Sequence, residues 1–245
     1  MLRICVIGDY EPGNETHTAT TSALQHAAVA SGRDVEVDWV PTVDITSVDA
    51  PRLQDADGLL IAPGSPYRHM DGALAAVTYA RTRDTPLLGT CGGFQHLVVE
   101  FARNVLGVHD AEHAESKPDA TTHVITPLTC SLFGQRMDVE VRRGTKAFSA
   151  YGRTQTTERY YCNFGLNPAY ATQLERGGLV VSAVDRDGEV RILEHPRLRF
   201  FMGTLFVPQM SSTPDAPHPL VAALVEAAAS RLSASNEAIA QSVGF

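Results

Sequence analysis

The segment Pro86-Leu87-Leu88-Gly89-Thr90-Cys91-Gly92-Gly93-Phe94-Gln95 decides the reading of this chain. A short apolar strand runs straight into a cysteine followed by two glycines, and a helical pattern continues to about Val105. This is the form of a nucleophile elbow, in which a strand turns sharply into a helix and presents one side chain at the bend, with glycines relieving the crowding. A thiol there sits at a helix N-terminus, where the dipole favours a thiolate, and nearby backbone N–H groups can hold an oxyanion. Cys91 is therefore the expected nucleophile. Cys5 and Cys130 are expected to be buried structural cysteines.

Working outward, the surrounding pattern is that of an α/β domain. Arg3–Gly8 is a β-branched apolar run, and Glu15–Ala30 carries Ala, Leu and His at helical spacing behind Asn14, a favourable N-cap. Val35–Val40, Gly58–Ala62 and Pro86–Gly89 read as further strands, each followed by a loop or helix. Alternation of this kind builds a parallel sheet covered on both faces. After Leu106 the pattern loosens: Glu112–Ala120 is polar, while His123–Ile125 and Met137–Val141 predict strands of a more antiparallel kind. Leu179–Val184, Val190–Leu193 and Phe200–Phe206 are also predicted strands, the first two joined by a hairpin turn at Asp185-Arg186-Asp187-Gly188. An Ala-rich helix is expected over His218–Leu232, with 235–245 a frayed tail. Without a repeat or a linker, residues 1–245 read as one domain.

Composition narrows the function. None of the 245 residues belongs to an apolar stretch approaching the roughly 18 needed to span a bilayer, so no membrane association is expected. The N-terminal run enters a strand without the features of a signal peptide, and the four cysteines are far apart with no CxxC pair, so a reducing cytoplasm is expected. A formal charge of −8 without clustered Lys or Arg argues against nucleic acid as a partner.

Several separate segments resemble the glutaminase region of CTP synthases, a class I glutamine amidotransferase-like family, and together they cover nearly the whole chain. They are Pro63-Gly64, the elbow Gly89–Gln95, Glu100-Phe101-Ala102-Arg103-Asn104-Val105-Leu106-Gly107, Ser212-Thr213-Pro214 and His218-Pro219-Leu220. The resemblance implies a flavodoxin-like three-layer sandwich with a central, mostly parallel sheet. It also implies an ATP-dependent synthetase domain, which this chain lacks, along with any GxxxxGK[ST] loop. A synthetase partner or a homo-oligomer is thus a candidate context. CTP synthase C-terminal-region-related (seleno)proteins of bacteria look similar too; their name implies selenocysteine at the elbow in some members, which favours a working chalcogen nucleophile.

The family's triad is Cys–His–Glu, the last two in a Phe-His-Pro-Glu sequence, whereas this chain reads Phe206-Val207-Pro208-Gln209. Valine cannot move a proton, so ordinary glutaminase activity is not expected. By the same resemblance Gln95 and Glu115 match groups that contact bound glutamine, and Gly64, Ser65 and Gly92 belong to the pocket. The family's Arg-His-Arg-Tyr-Glu block, whose arginine grips the α-carboxylate, becomes Tyr161-Cys162-Asn163-Phe164-Gly165 here, which places Tyr161 and Asn163 at the substrate and leaves the clamp to Arg159, Arg153 or Arg68. For a substitute base the loop after the first strand offers Glu15 and His17, at the same carboxyl edge as Cys91. His96 is expected to pack in the core, His69 to line the pocket mouth, and His109, Glu112 and His113 to form a solvated loop without a metal. Cys162 is a candidate resolving thiol for Cys91. The sequence thus predicts a Cys91-dependent hydrolase or transferase acting on a small amide, nitrile or carbonyl metabolite without a cofactor. The alternative is an inactive scaffold that binds a metabolite or partner.

Overall fold

The protein was analysed as a computed structural model describing residues 1–243, with side chains described through residue 234. In chain order its elements are β1 (Leu2–Ile7), α1 (Glu15–Ser31), β2 (Val35–Val40), α2 (Pro51–Gln54), β3 (Gly58–Ile61), α3 (Met70–Arg83), β4 (Leu87–Thr90) and α4 (Gly92–Asn104). The second half adds β5 (Glu112–His113), β6 (His123–Pro127), β7 (Arg136–Val141), α5 (Lys146–Tyr151), β8 (Gln155–Arg159), β9 (Phe164–Leu166), α6 (Ala171–Arg176), β10 (Val180–Val184), β11 (Val190–Glu194), β12 (Phe201–Thr204) and α7 (Pro219–Val243).

Nine strands form one sheet in the order β2-β1-β3-β4-β12-β11-β10-β7-β8. The block from β2 to β12 is parallel, and every pairing beyond β12 is antiparallel. β4 lies inside the parallel block, so Leu87 and Leu88 are wholly buried and the strand reads as an uninterrupted apolar run. α1 packs on α7, and α3 on α4; α7 covers β1, β3 and β4, while α4 lies over β3, β4 and β12.

Local chemistry sets the boundaries. Asn14 Oδ1 accepts the Thr16 N–H at 3.0 Å and starts α1, and Gly32 ends it in the left-handed region at φ 62°. The β10–β11 hairpin turns where the sequence places it, with Asp185 Oδ1 accepting from the N–H groups of Asp187 and Glu189, both at 3.0 Å.

Some elements depart from the sequence reading. The polar stretch after Ala111 is not a solvated loop: Glu112–His113 is buried and pairs with β6, and β5, β6 and β9 make a separate small sheet. The closing helix runs to Val243 rather than Leu232, so the expected tail at 235–245 has helical backbone through Val243, and Gly244 and Phe245 lie outside the described residues. Cys130 is exposed rather than buried. Among the described residues no helix is long and apolar enough to cross a membrane.

α4 approaches the sheet so closely that a Cβ on Gly93 would lie 2.3 Å from the Ile61 carbonyl oxygen, and one on Gly89 would lie 2.7 Å from the Gly93 carbonyl oxygen. Backbone atoms cannot step aside as a flexible side chain would. Gly93→Ala is accordingly expected to cost about 1–3 kcal/mol in urea unfolding, the range for overpacking. Gly13→Ala, whose Cβ would meet nothing within 4 Å, should unfold at nearly the wild-type urea concentration.

Candidate active site

β4 ends at Thr90, α4 begins at Gly92, and Cys91 between them holds φ 52° and ψ −107°. Such a backbone is strained for a residue with a Cβ and persists only where its surroundings enforce it. Here the Cys91 N–H donates to Thr204 O of β12 at 2.9 Å, and the Cys91 carbonyl accepts from the Gln95 N–H at 3.2 Å. The bend turns the thiol toward a cavity of about 500 Å³ whose wall includes Glu11, Glu15, Gly64, Ser65, Gln95, Glu115, Tyr161, Cys162 and Asn163. Although Cys91 is only 6% exposed, it forms part of that wall. Gly92 and the next residues open α4, so their N–H groups have no helical acceptor.

One side of the cavity is a continuous polar network. The Ser65 hydroxyl lies 2.9 Å from Glu115 Oε2 and 3.1 Å from Gln95 Oε1, and Gln95 Nε2 donates to Phe164 O at 2.8 Å. His113 Nδ1 accepts from the Glu115 N–H at 3.1 Å, so its Nε2 carries the proton and donates to Gln95 Oε1 at 3.0 Å. On the other side Tyr161 stands near Glu15 and Arg159; burial pushes its phenol up, and the Glu15 carboxylate adds to the shift. Asn163 Oδ1 accepts from Ser131 Oγ at 2.6 Å.

The histidines are held chiefly by their ring contacts. His17 is buried and absent from the cavity wall; its Nδ1 accepts the Glu11 N–H at 3.0 Å and its Nε2 donates to Pro63 O at 3.0 Å. The ring therefore ties the loop after β1 to the loop after β3 and supports Gly64, where a Cβ would come within 3.0 Å of the imidazole. Both nitrogens of His17 are thus committed to backbone, and the ring braces the two loops. His69 does not line the cavity; its backbone N–H donates to Thr42 Oγ1 at 3.0 Å and its Nδ1 lies 3.3 Å from Thr42 O. His96 packs in the core as expected, Nδ1 donating to Gly92 O at 2.7 Å, but its Nε2 has no partner among the described residues. Burial lowers His96 to about 4 and His113 to about 3, so both rings are neutral near pH 7.

Val207 and Gln209 are buried, and Gln209 Nε2 donates to Thr90 Oγ1 at 2.9 Å and to Thr20 Oγ1 at 3.1 Å. Arg68 and Arg153 do not line the cavity, and Arg153 instead reaches Thr156. Arg159 alone of the three candidate clamps approaches, through Tyr161. Cys162 is the near neighbour of Cys91, its sulfur 2.6 Å from Cys91 Sγ and 2.8 Å from Leu205 O. Sequence reasoning missed Glu11, although it had located the loop that carries it. Among the described residues no group of three or more His, Cys, Asp or Glu side chains is placed to hold a metal ion.

A cysteine elbow at the carboxyl edge of a parallel sheet, with a polar cavity beside it, defines a class I glutamine amidotransferase type of domain. The family description "Glutamine amidotransferase class-I" matches residues 15–227, and the chain belongs to this family. Within it, the chain is 33% identical over 243 residues to CTP synthase of Staphylococcus carnosus and 35% identical over 238 residues to CTP synthase of Pyrococcus furiosus, covering 93% of this chain and 44% of each relative. It thus spans less than half the length of these relatives. Among solved structures, the CTPS glutaminase domain of Trypanosoma brucei with bound acivicin superposes with a TM-score of 0.86 at 28% identity, covering 94% of both chains. A glutamine amidotransferase of Thermotoga maritima, at 11% identity and a TM-score of 0.56 over 94% of this chain and 97% of its own, shares the fold.

The buried neutral histidines impose a pH dependence on stability. Unfolded, His96 takes up a proton as the pH falls through 6.5; folded, it resists until about 4. Acidification across that window favours the unfolded chain, by roughly 3 kcal/mol from His96 once both values are passed. Urea titrations between pH 6.5 and 4 should show this loss in the wild type and a visibly flatter profile in His96→Leu.

Proposed function

We propose that the chain is a Cys91-dependent amidohydrolase acting on a small amide that also carries an amine. The observation that carries this reading is one cavity wall holding the elbow sulfur and three carboxylates, Glu11, Glu15 and Glu115, with no Lys or Arg among its lining residues. An acidic chamber favours a cationic amine over the carboxylate end of free glutamine. Glu115, oriented by Ser65, takes the amine, and Gln95, fixed by His113 and Phe164, orients the scissile amide. The Cys91 sulfur adds to the amide carbonyl, while the N–H groups of Gly92 and Gly64 face the developing oxyanion. Ammonia leaves as the thioester forms, and water then releases the acid. Glu15, at the wall beside Tyr161, is the group proposed to take the Cys91 thiol proton, pass it to the leaving nitrogen, and then take a proton from the attacking water that returns to the sulfur as the acid leaves. Because the relatives are CTP synthases, a synthetase is the candidate consumer of that ammonia.

A second reading, a domain that binds the same ligand without turnover, is favoured by Val207 and Gln209, which leave no imidazole in the cavity wall among the described residues. Ammonia release from glutamine and from amine-bearing primary amides separates the two. Under the first reading Cys91→Ser lowers release about a thousand-fold or more, and Glu115→Gln weakens binding of amine-bearing substrates roughly ten-fold or more. Wild-type release no faster than that of Cys91→Ser, with ligand affinity retained in both, would establish the binding domain instead.

A further inference from the structure

Cys91 and Cys162 stand 71 positions apart in sequence, yet their sulfurs lie 2.6 Å from each other. Both line the cavity, and Cys162 is only 2% exposed. A disulfide needs about 2.05 Å between sulfurs, so closing the pair asks for a sub-ångström movement. Cys162 is held in place from two directions: its carbonyl accepts from the Leu132 N–H at 3.0 Å, and its sulfur rests on Leu205 O. Neither other cysteine has such a neighbour. Cys5 is buried in β1, within reach of Asp38 and Arg52 O, and Cys130 is exposed on a separate surface depression.

We propose that Cys91 and Cys162 form a redox couple through which a small hydroperoxide switches the nucleophile off reversibly. In the first step the Cys91 thiolate attacks an oxygen of the hydroperoxide; an S–O bond forms, the O–O bond breaks, and the departing alkoxide takes up a proton to leave as an alcohol. The Cys162 sulfur then attacks the Cys91 sulfur. The S–S bond forms, the S–O bond breaks, and hydroxide leaves with the Cys162 proton as water. Two thiols lose two electrons and one hydroperoxide gains them; an external dithiol reverses the change by exchange. Burial, reinforced by the neighbouring Cys91, pushes the Cys162 thiol well above its ordinary range, so Cys162 stays protonated and acts second.

The couple goes beyond the proposed hydrolysis and rests on it only in needing a reactive Cys91. The test uses the reduced full chain carrying Cys130→Ser, treated with a few equivalents of hydrogen peroxide or cumene hydroperoxide, alkylated and mapped without reductant. The expected product is a monomer lighter by two hydrogens, with a Cys91–Cys162 linked peptide, loss of both thiols from alkylation, and full recovery with dithiothreitol. With Cys162→Ser added, dimedone should trap a sulfenic acid at Cys91 instead. Iodoacetamide labelling of the untreated protein runs alongside. If Cys91 alkylates readily but peroxide converts it to sulfinate while Cys162 remains alkylatable, the couple is overturned and the proposed hydrolysis stands. If Cys91 resists both reagents, the two proposals fail together.

Discussion

The site depends on one backbone constraint: a residue with a Cβ is held at φ 52° and ψ −107° between a buried strand and a helix. The strain is sustained because β4 is clamped between β3 and β12, and Thr204 of β12 receives the Cys91 N–H. Glycines at 89 and 93 let the helix fold back onto the strand within a distance no Cβ permits. The geometry that displays the sulfur is therefore not a property of the loop alone. It is stored in the packing of three strands and a helix, all of them within the apolar core.

Around that constraint the protein uses several histidines as struts. His17 joins two loops, and His113 joins Gln95 to the Glu115 backbone; His96 packs beneath the elbow against Tyr67. Burial holds His96 and His113 neutral, which suits a donor–acceptor role between fixed backbone groups and removes them from proton transfer near pH 7. Titratable groups at the cavity wall are left as carboxylates, a phenol and two thiols. Chemistry at this site has to be built from those.

The parallel half of the fold and the elbow were legible in the sequence because each is written locally: apolar runs of strand length, Asn14 as a cap, glycines beside Cys91. Shorter elements were not, since β5 has two residues in a polar stretch and gains its place from pairing with β6 rather than from its own pattern. The same limit applied to side chains. That Glu15 and Cys91 share a cavity followed from the carboxyl-edge rule. That His17, two residues on, turns away from it did not, because helical periodicity places adjacent residues on different faces only once the helix orientation is fixed. The contact between Cys91 and Cys162 joins distant segments, and no local signal measures such a separation.

The residues at 207 and 209 are chemically matched to one another. The Gln209 side-chain amide is buried and donates to the hydroxyls of Thr20 and Thr90. A glutamate at that position would place a carboxylate in the same enclosure. With an imidazolium beside it the charge would be paired; with Val207 in that role it would be uncompensated, and a buried unpaired carboxylate costs several kcal/mol. Once the histidine position is apolar, a neutral amide is the residue of nearly equal shape that avoids this cost. The amide also donates to the side chain of Thr90, the residue before Cys91, and so ties the end of β4 to the segment that follows β12.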